Sequence, residues 1–263
     1  MGETVQTNEL RRKLDADEVA LGALDNTYSP TLVEFYGELG LDFVWLDLEH
    51  AGPSPWDATR LEHLLRAADA SDVEALVRLP TPDPALVRKA LDAGVRSLFV
   101  SRVETAEEVR RVARAARFEY EGGPGERGLA SPRASRWGTT DDYAATEDEE
   151  TLVGVTIETP TAVENIDEIL DVSDLGFAFV GPLDLSVSLG HPGEPNHPDV
   201  EEAVETVRTA CLDAGVPVGG LGFGMDDVNE KAESGYQILN LGSTTGAVKQ
   251  VVTSWLDEYQ SPQ

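Results

Sequence analysis

The chain has 263 residues, with 49 Asp and Glu against 20 Lys and Arg, for a net charge of −29. A surface this acidic repels phosphate backbones and anionic lipid, which excludes nucleic-acid binding and peripheral membrane attachment. Apolar content of 41%, arranged in regular runs, excludes intrinsic disorder as the source of the charge.

Short apolar and often β-branched runs alternate with amphipathic stretches from end to end. In chain order, a strand at Val19–Leu24 precedes a helix at Pro30–Leu39, and Phe43–Glu49 precedes Pro55–Ala70. Glu74–Leu79 precedes Pro84–Ala93, and Ser97–Val103 precedes Thr105–Arg117. Leu152–Glu158 precedes Pro160–Leu170, and Gly176–Gly181 precedes Asp199–Ala214. Pro217–Phe223 and Met225–Ser234 follow, then Tyr236–Gly242 and Thr244–Glu258. Asp83–Pro84 and Thr159–Pro160 open helices, while Ala93–Gly94 and Ala214–Gly215 close them. The second helix repeats Leu61, Leu64, Leu65 and Ala68 at one face. Between strands four and five lie a Gly-rich loop, Glu119–Gly128, and an acidic loop, Gly138–Glu150.

Eight strand–helix units predict one (β/α)₈ barrel of the TIM type spanning residues 1–263. A doubly wound sheet is the rival, but no GxGxxG follows the first strand. The lone Cys211 excludes a disulfide scaffold and points to a reducing interior. No run approaches the ~20 apolar residues of a membrane span, and Met1–Asp25 lacks a signal-peptide core, so a cytoplasmic location is expected. At about 1 M salt the Debye length is ~3 Å and surface carboxylates no longer repel at range. The charge skew therefore predicts a high-salt cytoplasm.

Catalytic groups of such a barrel sit at the C-terminal ends of strands. Strand two ends at Asp47, Glu49 and His50, strand three at Arg78, strand five at Thr156 and Glu158, and strand six runs into Gly181, Leu183 and Asp184. Glu158 and Asp184 close neighbouring strands, and two oxygen donors without His or Cys suit a hard or borderline divalent ion; the alternative is a pair of solvated loop acids. His50 is the one histidine at a strand end, and Asp47 could orient its ring for acid–base work; the alternative is a structural histidine. Arg78 could hold a 2-oxo acid carboxylate or form an internal salt bridge to Asp47 or Glu49. Gly122–Gly128 offers backbone N–H groups to an anion. His63, His191 and His197 read as structural or surface groups. Lys89, Lys231 and Lys249 fall in predicted helices and Lys13 in the N-terminal segment, so no Schiff-base lysine is expected.

These pieces combine in order: Asp42-Phe-Val-Trp-Leu-Asp47-Leu-Glu49-His50-Ala, Val77-Arg78, Arg133-Ala-Ser-Arg136-Trp137, Ile157-Glu158-Thr, Gly181-Pro-Leu-Asp184-Leu-Ser186 and Ser188-Leu-Gly190-His191-Pro. The pattern resembles the HpcH/HpaI family of class II, metal-dependent pyruvate aldolases across residues 17–255. The resemblance implies a barrel of the phosphoenolpyruvate/pyruvate type, in a homo-hexamer (trimer of dimers) whose last helix packs on a neighbouring subunit. It implies Glu158 and Asp184 as ligands of Mg²⁺, Mn²⁺ or Co²⁺, with pyruvate chelating the metal. Arg78 would hold the oxo oxygen, and His50, oriented by Asp47, would move protons through a water. Gly181, Leu183 and Thr156 would line the substrate site, and Asp92 would approach a neighbour's site. The implied reaction is reversible retro-aldol cleavage of a 4-hydroxy-2-oxo acid, a 2-keto-3-deoxy sugar acid, to pyruvate and an aldehyde. Leu183, Thr156 and Ser101-Arg102 depart from the family's usual residues, which bears on the aldehyde. The competing functions are an acyl-CoA lyase of the malyl- or citramalyl-CoA type, for which the chain offers scarcely any basic surface, and a catalytically silent ligand-binding homologue.

Overall fold

In the computed structural model, which describes residues 7–259, the strand–helix alternation closes on itself. A short helix α1 (Glu9–Asp15) leads into β1 (Ala20–Leu24), α2 (Pro30–Glu38), β2 (Phe43–Asp47) and α3 (Ala58–Ala70). Then come β3 (Glu74–Leu79), α4 (Pro84–Ala93), β4 (Ser97–Val100) and α5 (Ala106–Ala116). A ribbon of β5 (Glu119–Tyr120) and β6 (Gly123–Pro124) and the helix α6 (Tyr143–Glu150) lie outside the barrel wall. The wall resumes with β7 (Leu152–Ile157), the helix pair α7 (Pro160–Glu164) and α8 (Ile166–Leu170), then β8 (Phe177–Val180) and α9 (Pro182–Ser188). It ends with α10 (Pro198–Ala214), β9 (Val218–Leu221), α11 (Met225–Glu233), β10 (Tyr236–Ser243) and α12 (Thr244–Glu258). Eight parallel strands close in the order β1-β10-β9-β8-β7-β4-β3-β2, a (β/α)₈ barrel. No helix among the described residues is long and apolar enough to cross a membrane.

Two apolar layers hold the barrel. The outer one packs α-helical Leu, Val and Ala against outward strand residues such as Val44, Leu46, Val77 and Val155. The inner one is aromatic: Trp45, Phe99, Phe177 and Phe179 meet with ring centroids 5.4 to 6.0 Å apart. Small residues make room for these rings. A Cβ on Gly154 would lie 2.3 Å from the Phe177 ring, and one on Gly22 2.4 Å from Phe43. Leu10 and Leu14 of α1 join this inner cluster, so α1 plugs the N-terminal end of the barrel. Catalytic groups must therefore gather at the opposite end.

Differences from the predicted elements have local causes. β2 stops at Asp47 because its carboxylate turns back to accept the Glu49 N–H at 2.9 Å. β4 stops at Val100, not Val103, because Arg102 adopts the left-handed region at φ 60°. The fifth predicted helix breaks at Asn165, whose side-chain amide donates to the Glu104 carbonyl at 2.8 Å. The acidic 138–150 segment contains α6 because its Glu147 is buried between Arg127 and Arg96, at 2.8 and 3.0 Å. In the Gly-rich loop, the N–H groups of Gly125, Glu126 and Arg127 donate to carbonyls of Phe118, Arg114 and Arg117. They bind the end of α5, so these three N–H groups are not free to receive an anion.

Phe99 touches three other rings at the centre of the barrel, so Phe99→Ala should cost about 3–5 kcal/mol of unfolding free energy. Denaturant titration of both proteins checks this, and a loss below about 1 kcal/mol would contradict the aromatic core.

Candidate active site

The parallel register of β2 and β3 sets Asp47 beside Arg78. Arg78 Nε donates to Asp47 Oδ1 at 2.8 Å and Nη2 to Oδ2 at 2.7 Å, a bidentate pair. Its Nη1 lies 3.2 Å from Glu49 Oε2, and the guanidinium stacks on the Trp45 ring at 4.9 Å. Burial pushes the Asp47 carboxyl up, but the Arg78 hydrogen bonds outweigh it and hold the group below the usual carboxylate range. The Tyr28 hydroxyl donates to the Asp47 carbonyl at 2.7 Å and fixes the strand end from outside. The internal salt bridge anticipated as an alternative for Arg78 is present, and it holds the guanidinium rigidly at the barrel mouth.

Asp47 is thereby taken. Both its oxygens face Arg78, and it makes no hydrogen bond to His50 among the described residues. The expected Asp47–His50 pair gives way to a Glu49–His50 contact, with Nε2 of a half-exposed imidazole 3.6 Å from Oε2. Sequence reasoning named Glu49 only as an alternative ion-pair partner of Arg78, and the structure gives it more to do. It is buried, accepts from Ser101 Oγ at 2.7 Å and Arg102 Nε at 3.2 Å, and so links β2, β3 and the end of β4. Its strand-end position next to His50 was visible; its inward orientation depends on the turn that ends β2 and was not.

Glu158 follows β7 and is buried. Its Oε1 accepts the Arg102 N–H at 2.7 Å, whereas Oε2 is buried and has no hydrogen-bond partner. Burial pushes its pKa up to about 7, with the negative charges of Glu49 and Asp184 adding to the rise and Arg78 opposing it. Asp184 lies half-buried in the first turn of α9, and no hydrogen bond to its carboxylate is made among the described residues. Gly181, between them in sequence, keeps this space open. A Cβ there would stand 3.2 Å from Glu158 Cβ, 3.3 Å from Thr156 Cγ2 and 3.5 Å from Glu158 Oε2. Thr156 is buried with its hydroxyl unpartnered, and Leu183 stands exposed at the rim.

The remaining candidates lie elsewhere. Asp92 ends α4, at the opposite end of the barrel, where its carbonyl accepts the Ala134 N–H of the Arg133–Trp137 segment. That segment straps α3 to α4: Arg133 pairs with Asp69 and donates to the Ala93 carbonyl at 3.1 Å. His63 is exposed on α3. His191 and His197 stack at 3.4 Å and flank Asp199, outside the mouth. Lys13, Lys89, Lys231 and Lys249 all lie on helices outside the barrel wall.

Comparisons with known proteins agree with this architecture. Residues 25–250 match the family model described as HpcH/HpaI aldolase/citrate lyase. The 5-keto-4-deoxy-D-glucarate aldolase of Salmonella newport is 32% identical over 261 residues, covering 99% of this chain and all of that one. An HpcH/HpaI aldolase/citrate lyase family protein from Burkholderia cenocepacia superposes with a TM-score of 0.91 at 33% identity, over 97% of this chain and 100% of that one. An HpcH/HpaI aldolase from Desulfitobacterium hafniense superposes with a TM-score of 0.87 at 30% identity, over 96% and 99%. The chain belongs to the HpcH/HpaI aldolase/citrate lyase family.

Proposed function

We propose that the chain is a metal-dependent aldolase that reversibly cleaves a 4-hydroxy-2-oxo acid, a keto-deoxy sugar acid, to pyruvate and an aldehyde. The observation that carries this is Glu158: a buried carboxylate oxygen without a partner, beside a second carboxylate and across from a fixed guanidinium. The oxygen-only donor set of Glu158 and Asp184 suits Mg²⁺, Mn²⁺ or Co²⁺, and the open space at Gly181 leaves the donors unobstructed. When bound, such an ion supplies a Lewis acid for the 2-oxo group.

The chain's own residues do the rest. Arg78, clamped by Asp47 and Glu49, meets negative charge as it develops on the oxo oxygen while the C3–C4 bond breaks and its electrons pass into the enolate. Because the guanidinium is already held, little reorganisation accompanies that step. His50, leaning on Glu49 and open to water, takes the C4 hydroxyl proton through a water as the aldehyde forms; a proton delivered back through the same water to C3 of the enolate completes pyruvate, and the aldol direction reverses both transfers. Backbone around Gly181 and Leu183 receives the substrate carboxylate, and Thr156 lines the floor. With every described lysine on a helix and none on a barrel strand, enolate chemistry proceeds without an imine.

Two further features belong to this proposal. Val248, Val251, Val252, Trp255 and Leu256 leave α12 with an exposed apolar face, which supports packing on a neighbouring subunit in a hexamer. Asp92, far from its own mouth, fits a contribution to a neighbour's site. The outward carboxylates suit a cytoplasm of molar salt, where screening removes their repulsion.

Pyruvate in D₂O tests the chemistry without an aldehyde. With Mn²⁺ or Mg²⁺ and molar KCl, the protein should exchange the pyruvate methyl protons, followed by NMR. Glu158→Gln should abolish the metal-stimulated rate and His63→Asn should leave it near wild type. Metal-independent exchange, no exchange, or equal losses in both variants would refute the proposal. Gly181→Ala should raise the metal concentration needed for half-maximal exchange by about ten-fold or more, because the new methyl crowds Glu158. An unchanged requirement would remove Gly181 from the metal site.

A further inference from the structure

Between α9 and α10 the chain runs His191-Pro-Gly-Glu-Pro-Asn-His197-Pro-Asp199, a connection that the proposed chemistry does not use. Its main chain is fixed independently of its imidazoles. The His191 N–H donates to the Ser186 carbonyl at 2.7 Å, and the Gly193 N–H to Ser186 Oγ at 3.1 Å. The Glu194 N–H donates to the His191 carbonyl and the His197 N–H to the Glu194 carbonyl, both at 3.0 Å. Gly190 and Gly193 turn the segment back with φ at 87° and 83°. Pro192, Pro195 and Pro198 narrow the unfolded ensemble, so little freedom is left to lose when a ligand binds.

Held this way, two imidazoles and a carboxylate converge. His191 Nε2 lies 3.0 Å from Asp199 Oδ2 and His197 Nδ1 lies 3.7 Å from the same oxygen, with the two rings stacked at 3.4 Å. Donor atoms of the three side chains all lie within 4.8 Å of one another. Ligand atoms about 2.1 Å from a tetrahedral ion stand about 3.4 Å apart, a spacing that falls between the two measured distances. His197 Nδ1 accepts the Asp199 N–H at 3.3 Å, so it turns a lone pair and not a proton toward the cluster. That hydrogen bond is long, and an ion takes the lone pair in its place. Asp199 is exposed, which leaves room for water as a further ligand. We propose that His191, His197 and Asp199 form a metal site separate from the mouth, which takes Zn²⁺ or another divalent ion that prefers imidazole and staples the α9–α10 connection. The oxygen-only pair at the mouth suits harder ions, so the two sites sort metals by ligand chemistry. The site stands whether or not the chain is an aldolase.

Zn²⁺ calorimetry on the metal-free, full-length protein without a polyhistidine tag tests this. Glu158→Gln serves as the parent, so that the mouth contributes little, and the wild type is measured beside it. One histidine-dependent Zn²⁺ per chain should bind in both, and saturating Zn²⁺ should raise the Tm. His191→Asn, His197→Asn and Asp199→Asn should each weaken that binding more than about ten-fold and remove the rise in Tm. Asn at position 197 can still cap α10, so a loss there is not a loss of the helix, and circular dichroism checks the fold of each variant. Zn²⁺ binding that is absent from the parent, or unchanged in His191→Asn or His197→Asn, would overturn the site. A Tm that does not rise with bound Zn²⁺ would overturn the staple.

Discussion

A guanidinium inside a barrel mouth must be surrounded by acids, and those acids in turn dictate what else the mouth can hold. Arg78 is fixed by two hydrogen bonds to Asp47, an ion pair with Glu49 and the face of Trp45. Removing a partner from such a cluster leaves an uncompensated buried charge, which is far costlier than the pair is stabilising. The same cluster leaves Glu158 and Asp184 short of positive charge: four carboxylates face two guanidiniums, a shortfall that the proposed divalent cation would balance. Burial, with the acidic neighbours adding to it, pushes the Glu158 carboxyl up to about 7. Strand register, aromatic floor and carboxylate count thus act as one design.

Much of this was legible in the residues. The alternation of β-branched runs with capped amphipathic helices gave the barrel because each signal is local: Asp83 caps α4 and Gly94 closes it in the left-handed conformation, as their positions imply. Arg78, Glu158 and Asp184 stood out because a charged group closing an apolar strand is costly to desolvate unless a partner or a ligand meets it at the mouth. The salt bridge of Arg78 to Asp47 or Glu49 was legible as an alternative, but the histidine's partner was not. Asp47 and His50 are three apart and looked paired, but β2 ends between them and the carboxylate faces the next strand instead. Glu49's contacts with His50, Ser101 and Arg102 were hidden for the same reason, since alternation alone cannot say which way a residue beyond the strand end turns. The α6 segment looked like a solvated acidic loop because its buried Glu147 is neutralised by arginines 20 and 51 residues away, pairings no window can see.

The −29 net charge separates into two populations of different physics. Most acids face solvent and do no more than solvate the fold. A handful turn inward at one end of the barrel, and there the sign of the charge becomes chemistry, because burial makes each unpaired carboxylate costly and each cation near it decisive. Arginine carries the positive charge at the mouth, while each described lysine lies on a helix and none on a barrel strand. Planar, permanently charged donors suit a site that must fix carboxylate and enolate geometry.

The central claim is that Glu158 and Asp184 together bind one divalent cation. Mn²⁺ titration followed by electron paramagnetic resonance of the free ion tests it most directly, on the wild type and on Glu158→Gln and Asp184→Asn. One site per chain is predicted for the wild type, weakened by more than about ten-fold in both variants, with each still folded by circular dichroism. Undiminished Mn²⁺ binding in either variant would contradict the account.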